Sequence, residues 1–132
     1  MITLDTSAVL ALVNRNDRHH GAARSVLDGD VSVTVVPASI LSEIAWVVGS
    51  RVGDRGVRSV LAGVIHGSTL LDCGDADLPR VVELLERYRH LTFGFSDAAV
   101  VACAERNGGS ILTFDRGDLE IVSRDVPIAL LP

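Results

Sequence analysis

Apolar and polar positions fall into short runs that predict strands alternating with helices. Residues 2–4, Ile-Thr-Leu, read as a short buried strand. Residues 7–13 are apolar and compatible with a helix, with Thr6 and Ser7 as cap candidates. A polar break at 14–17 precedes a second helix, predicted over 19–27 and closed by Asp28-Gly29. The β-branched run 31–36 predicts a strand. A helical stretch begins at Pro37, with Ile40, Ile44, Val47 and Val48 on one face. Residues 53–56, bounded by two glycines, break it before another helix over 57–65. A strand at 69–71 and a turn at 73–75 follow, and then Leu78, Val81, Val82, Leu85 and Tyr88 keep helical spacing. A strongly apolar helix is predicted from Phe95 through Ala104, ended by Gly108-Gly109, and strands at 110–113 and 126–130 complete the chain.

This alternation predicts an α/β fold with a mainly parallel sheet covered on both faces. No linker, low-complexity tract or internal repeat interrupts it, and 132 residues suit one domain. The chain is 48% apolar but has only three Phe, one Trp and one Tyr, so its core must be aliphatic, as buried parallel strands require. No apolar run reaches membrane-spanning length. Met1 leads into a strand-like segment rather than the charged and apolar regions of a signal peptide. Cys73 and Cys103 lie far apart in sequence and suggest neither a disulfide framework nor a zinc site. Cys103, in an Ala/Val run, is expected to be a small core residue, and a reducing, cytoplasmic setting is expected with it.

The formal net charge of −5 excludes a global basic footprint for nucleic acid. Every basic residue other than His is Arg. Charged contacts to phosphate therefore fall to Arg or protonated His, and lysine catalysis is excluded.

In open α/β sheets ligands bind outside the carboxyl ends of the strands. Asp5 directly follows the first predicted strand, and Asp115 closely follows the strand at 110–113. Asp97 lies in the first turn of the apolar helix, and Glu43 early in the helix after the second strand. Singly, each has a structural explanation. Asp5 is a polar residue before a helix, and Asp97 complements a helix dipole with Ser96 as cap. Glu43 is a helical residue near an apolar stripe, and Asp115 opens the turn-like Asp115-Arg116-Gly117-Asp118. Together they suggest a metal site, because clustered carboxylates repel one another unless a cation neutralises them. Mg²⁺ or Mn²⁺, hard ions that prefer oxygen, suit such a site, and metal-assisted phosphodiester hydrolysis suits the ions.

Leu4-Asp5-Thr6-Ser7, Ser42-Glu43, Phe95-Ser96-Asp97-Ala98 and Leu112-Thr113-Phe114-Asp115 resemble, in order and rough separation, the four acidic motifs of PIN domains. The chain, 1–132, is about one such domain, which points to VapC-type toxins of bacterial toxin–antitoxin modules. The resemblance implies an α/β/α sandwich around a mainly parallel sheet. It implies a Mg²⁺-dependent endoribonuclease, with Mn²⁺ as substitute, acting on RNA such as tRNA or ribosomal RNA and leaving 5′-phosphate and 3′-hydroxyl ends. Carried over by motif, Asp5 and Asp97 are direct metal ligands, and Glu43 and Asp115 complete the site directly or through water. Thr6, Ser96 and Thr113 orient carboxylates or water. Asp118 is either an extra acid or a turn residue, the latter being preferred. A homodimer and a cognate antitoxin that blocks the site are also implied, with the apolar stretch 40–65 able to supply a dimer surface.

Arginine falls in three local groups: Arg15, Arg18 and Arg24 with His19 and His20; Arg51, Arg55 and Arg58; and Arg87 and Arg89 with His90. Each offers phosphate contacts or an ordinary solvated surface, and Arg116 beside Asp115 is the foremost single candidate for substrate contact. His19-His20 is too isolated from other ligands to read as a metal site. A phosphatase of the haloacid-dehalogenase type wants a second Asp two residues after the first, where Ser7 stands. A receiver domain and a P-loop NTPase both need a Lys. The remaining alternatives are a housekeeping RNA-processing nuclease and a silent protein-binding PIN-like module, the latter disfavoured by the four acids.

Overall fold

The computed structural model describes residues 1–30 and 32–132. Five short strands form one parallel sheet: β1 (Ile2–Leu4), β2 (Thr34–Pro37), β3 (Thr69–Asp72), β4 (Ser110–Leu112) and β5 (Ala129–Leu131). Their order is β3-β2-β1-β4-β5. Thr3 pairs with Val35 of β2 on one side and Ile111 of β4 on the other. β1 is thus central, and its side chains are buried, as a doubly covered strand requires.

The strand order fixes the layers. From β1 to β2 to β3 the chain moves one way along the sheet through α1 (Thr6–Val13), α2 (His20–Gly29), α3 (Leu41–Val52) and α4 (Asp54–Ile65). It then crosses back to β4 and β5 through α5 (Leu78–Arg87), α6 (Phe95–Arg106) and α7 (Gly117–Val122). Parallel crossovers are right-handed, so opposite directions of travel place α1–α4 on one face and α5–α7 on the other. The contacts agree: α1 packs on α2, α3 and α4, while α6 packs on α5 and on strands β1, β2 and β4. The result is the predicted three-layer α/β/α sandwich.

Helix α6 sits deepest. Every residue from Ala98 to Ala104 is buried, and the four alanines among them let the helix lie close on the sheet. Val81 and Leu84 of α5, with Tyr88 just beyond its end, face the core, whereas Val82 and Leu78 are exposed, so their expected inward positions are corrected in favour of Leu84.

Several predicted boundaries shift. The strand expected at 31–36 begins at Thr34, and its start at Val31 lies outside the described residues. Pro37 ends β2 instead of opening a helix: lacking an N–H, it still fits a strand terminus. A 3₁₀ turn over Ala38–Ile40 then leads into α3. The break expected at 53–56 narrows to Gly53, whose φ of 83° ends α3. Gly56 is a packing residue of α4 instead, since a Cβ there would lie 2.7 Å from Val52 Cβ. The last strand is Ala129–Leu131 rather than 126–130; Val126 and Ile128 are buried in the approach to it. Helix α7 was not anticipated, because it is one and a half turns long and opens in a turn-like sequence.

The cysteine expectation is also corrected. Cys73 follows β3, Cys103 lies on α6, and folding brings their Cα atoms to 5.5 Å in a disulfide. Their separation of 30 residues carried no sign of this, because the contact arises from packing the end of β3 against α6. Both are buried with Val35, and the Asn107 side-chain amide donates to the Cys103 carbonyl at 2.9 Å.

Gly108 and Gly109 end α6 with φ of 98° and 89°. Gly109 also aims its missing side chain at the Pro127 carbonyl oxygen, which a Cβ would approach to 2.6 Å. Gly109→Ala is expected to destabilise the fold by about 2–3 kcal/mol, since steric conflict adds to left-handed backbone strain. Gly108→Ala, whose Cβ would meet only the Met1 nitrogen at 3.9 Å, is expected to lose only about 1 kcal/mol. Urea unfolding of the two variants checks the difference.

Candidate active site

β1 and β4 are neighbours, yet the chain leaves them in opposite directions. This is the topological switch point, where a crevice opens at the carboxyl ends of the strands. Asp5 and Thr113 are the residues that follow these two strands.

Asp5 is the N-cap of α1, a role expected of Thr6 or Ser7. Its Oδ1 accepts from the Ala8 backbone N–H at 2.9 Å and from the Ser7 hydroxyl at 2.7 Å. Its Oδ2 accepts from the Thr113 hydroxyl at 2.5 Å. Thr113, fully buried, accepts in turn from the Asp115 N–H at 3.0 Å, which holds the loop carrying that acid. Ser7 makes a second tie, accepting from the Phe114 N–H at 2.9 Å.

Glu43, in the first turn of α3, accepts on both oxygens: from Thr6 at 2.6 Å and from Ser96 at 2.8 Å. The expected capping role of Ser96 is therefore corrected, since its hydroxyl reaches across to another helix. The start of α6 is closed instead by Asp97, whose Oδ2 accepts from the Gly94 N–H at 3.1 Å. Asp118 lies in the first turn of α7, where it accepts from Thr92 at 2.7 Å. The Asp115 carboxylate accepts no hydrogen bond among the described residues.

Asp5, Glu43, Asp97 and Asp115 line one cleft of about 580 Å³, with Thr6 and Ser96 in its wall. Asp118 joins Asp97 and Asp115 in a smaller recess. Thr113 reaches the cleft through Asp5. Arg116 is turned away, with its Nε donating to Glu120 at 2.9 Å. Two residues not singled out for the site act in it: Ser7 on Asp5, and Thr92 on Asp118. Ser7 stood within the first acidic motif, whereas no local pattern marked Thr92.

The carboxylates have no cationic neighbour: among the described residues none of the five forms a salt bridge. Burial pushes the Asp5 carboxyl above the ordinary carboxylate range, against hydrogen bonds from Thr113, Ser7 and Ala8, and the charge of Asp115 adds to the rise. Burial also raises Asp97, opposed by the Gly94 N–H, with Asp115, Asp118 and Glu43 repelling its charge. Among the described residues, no three acids converge closely enough to grip a cation as they stand. The donor set nevertheless fits a hard cation. It is all oxygen, it carries unbalanced negative charge, and Asp115 is wholly free.

The PIN domain model matches residues 2–124. The chain belongs to the PIN domain family. A relative of this PIN domain, ribonuclease VapC26 of Mycobacterium tuberculosis, is 31% identical over 115 residues, which cover 86% of this chain and 85% of that protein. The crystal structure of VapC20 from M. tuberculosis, a sarcin–ricin loop cleaving toxin, superposes with a TM-score of 0.81 at 24% identity, covering 92% of this chain and 95% of that one. VapBC2 from Rickettsia felis, solved on a promoter DNA fragment, gives 0.68 at 17% identity over 98% and 97% of the chains. FitAcB from Neisseria gonorrhoeae gives 0.70 at 13% identity over 100% and 97%. At these identities the three structures bear on the fold alone.

The raised carboxyls have a consequence for stability. Folding favours the protonated form of Asp97, so its contribution to metal-free stability is fully present below the ordinary carboxylate range and is lost as pH rises through the raised value. Asp97→Asn removes that charge while keeping an acceptor for Gly94. The variant is expected to melt a few degrees above wild type at neutral pH without metal, with the gap closing in acid. Coincident melting curves at neutral pH would contradict this electrostatic account.

Proposed function

We propose that the chain is a metal-dependent endoribonuclease and the toxin of a toxin–antitoxin pair. The observation that carries this is the cluster of carboxylates without a cation partner, at the switch point of a PIN domain. Asp5, Asp97 and Asp115 would hold a divalent ion, Mg²⁺ with Mn²⁺ as substitute. Glu43, held by Thr6 and Ser96, would complete the site directly or through water. When bound, such an ion would supply neutralising charge for the carboxylates, polarisation of the phosphate oxygens and acidification of water.

The protein's own part is positioning. Thr113, Ser7 and the Ala8 N–H fix both oxygens of Asp5, so only its outward lone pairs remain for binding. Thr6 and Ser96 hold Glu43 between α1 and α6, facing the cleft. There the carboxylate orients a water in line with the scissile phosphorus and accepts its proton. Asp97, raised by burial and repelled by Asp115, Asp118 and Glu43, would have that repulsion offset by a cation at the site. Attack by water leaves 5′-phosphate and 3′-hydroxyl ends.

The substrate is RNA, with tRNA and ribosomal RNA as the leading classes, and the named relatives support this reading. A cognate antitoxin covering the cleft and a homodimer belong to the same proposal, as does 1–132 being the functional domain. So does a cytoplasmic location, where RNA is found. No helix is long and apolar enough to cross a membrane among the described residues. The Cys73–Cys103 bond is buried at both ends, so attack by cytosolic thiols is hindered while the domain stays folded.

Asp5→Asn is expected to lower Mn²⁺-dependent cleavage by about two orders of magnitude or more with the fold retained by circular dichroism. Undiminished cleavage would overturn the assignment. Expression of the wild-type chain is expected to arrest growth, and Asp97→Ala to relieve the arrest.

A further inference from the structure

Most arginines are engaged by carboxylates of this chain, as Arg80 is by Glu105 and Arg106 by Asp77. Arg15, Arg18, Arg51, Arg55 and Arg124 are not, among the described residues. Four of these five border a single groove. The acidic cleft shares Ser7 and Leu10 with a neighbouring depression that contains Arg18, His19, Arg51 and Phe114. That depression shares Asn14, Asn16 and Arg51 with a third, flanked by Arg15 and Arg55. Three adjoining depressions thus make up a trough from Asp5 and Asp115 to Arg55. It joins the first two arginine groups of the sequence, less Arg24 and Arg58, which pair with Asp28 and Asp54.

An aromatic pair stands where acid gives way to base. The rings of Phe114 and His19 stack with centroids 4.4 Å apart and planes 10° from parallel. Phe114 is placed by its backbone N–H on Ser7, one residue before Asp115. Arg18 Nε donates to His19 Nε2 at 3.1 Å. The one acid of this depression, Asp17, accepts from the His19 backbone N–H at 2.8 Å, so it is engaged locally.

We propose that this trough carries a single-stranded segment of the RNA substrate into the cleft. A base next to the scissile phosphate stacks on the Phe114–His19 pair. Arg18 and Arg51 contact the adjoining phosphates, and Arg15 and Arg55 those beyond. Guanidinium groups alone would suit any anionic partner. Their alternation with a flat aromatic pair suits a chain of phosphates and bases, because every unstacked base has a face to offer. The inference rests on the nuclease reading, and it explains how a chain of net charge −5 holds a polyanion: the basic surface is local.

The test is binding of a fluorescent single-stranded oligoribonucleotide to the Asp97→Asn protein, alongside cleavage kinetics in the active protein. Arg51→Glu with Arg55→Glu is expected to weaken binding about tenfold or more and to reduce the salt slope by about 1.4, the value for two phosphates on a single strand. In the active protein the loss should appear in KM with kcat nearly unchanged. Lysine at both positions should restore most of the slope. Phe114→Leu should weaken binding about tenfold, and Phe114→Trp should restore it. Arg124→Ala, an unpaired arginine outside the trough, should change nothing. If Asp5→Asn abolishes cleavage while the charge reversals bind and cleave RNA normally, the trough proposal is overturned and the nuclease reading stands, even where those variants lose a protein partner. If Asp5→Asn cleaves normally, the nuclease reading itself fails.

Discussion

The hydrogen bond from Thr113 to Asp5 joins the exits of the two strands on either side of the switch point, and the rest of the site is assembled around it. Asp5 is at once a helix cap, a buried acid and the anchor for the loop after β4. Without Thr113 its carboxylate would lose a donor in a setting where burial already opposes its charge. The chain therefore tolerates a buried acid by surrounding it with hydroxyls and a backbone N–H, rather than by pairing it with an arginine. A paired acid would be more comfortable but would have less affinity left for a cation.

Glu43 shows the complementary arrangement. It is solvent-facing, and its position comes from Thr6 at the start of α1 and Ser96 at the start of α6. These helices belong to opposite layers of the sandwich, so the Glu43 bridge spans the mouth of the cleft and couples both layers to α3. Movement of α6 relative to α1 would disturb Glu43 first, while Asp5, tied within β1, α1 and β4, would keep its place.

The alternating pattern made the parallel sheet and most helices legible, because buried strands and amphipathic helices leave periodic marks. Asp5 and Asp115 were legible for the same reason, as polar residues at strand exits. Glu43 drew on family resemblance, since an acid on a helix says nothing of what faces it. Helix α7 and the Cys73–Cys103 pairing were hidden: the first is too short to show a period, and the second depends on a contact between remote elements. Arginine engagement was equally illegible. Arg116 stands beside an acid of the site yet turns to Glu120, whereas Arg51 and Arg55 reach the trough from a helix pair far along the chain.

Phe114 sits between the two residues that secure the chemistry, Thr113 and Asp115; its main-chain N–H is tied to Ser7, while its ring stacks on His19 and packs against the edge of the core. Any amino acid other than proline could offer Ser7 that same bond. The mount is thus independent of the side chain it carries. Exchange of this side chain would change the surface beside the cleft, while the main-chain tie to Ser7 keeps the loop of Asp115 in place.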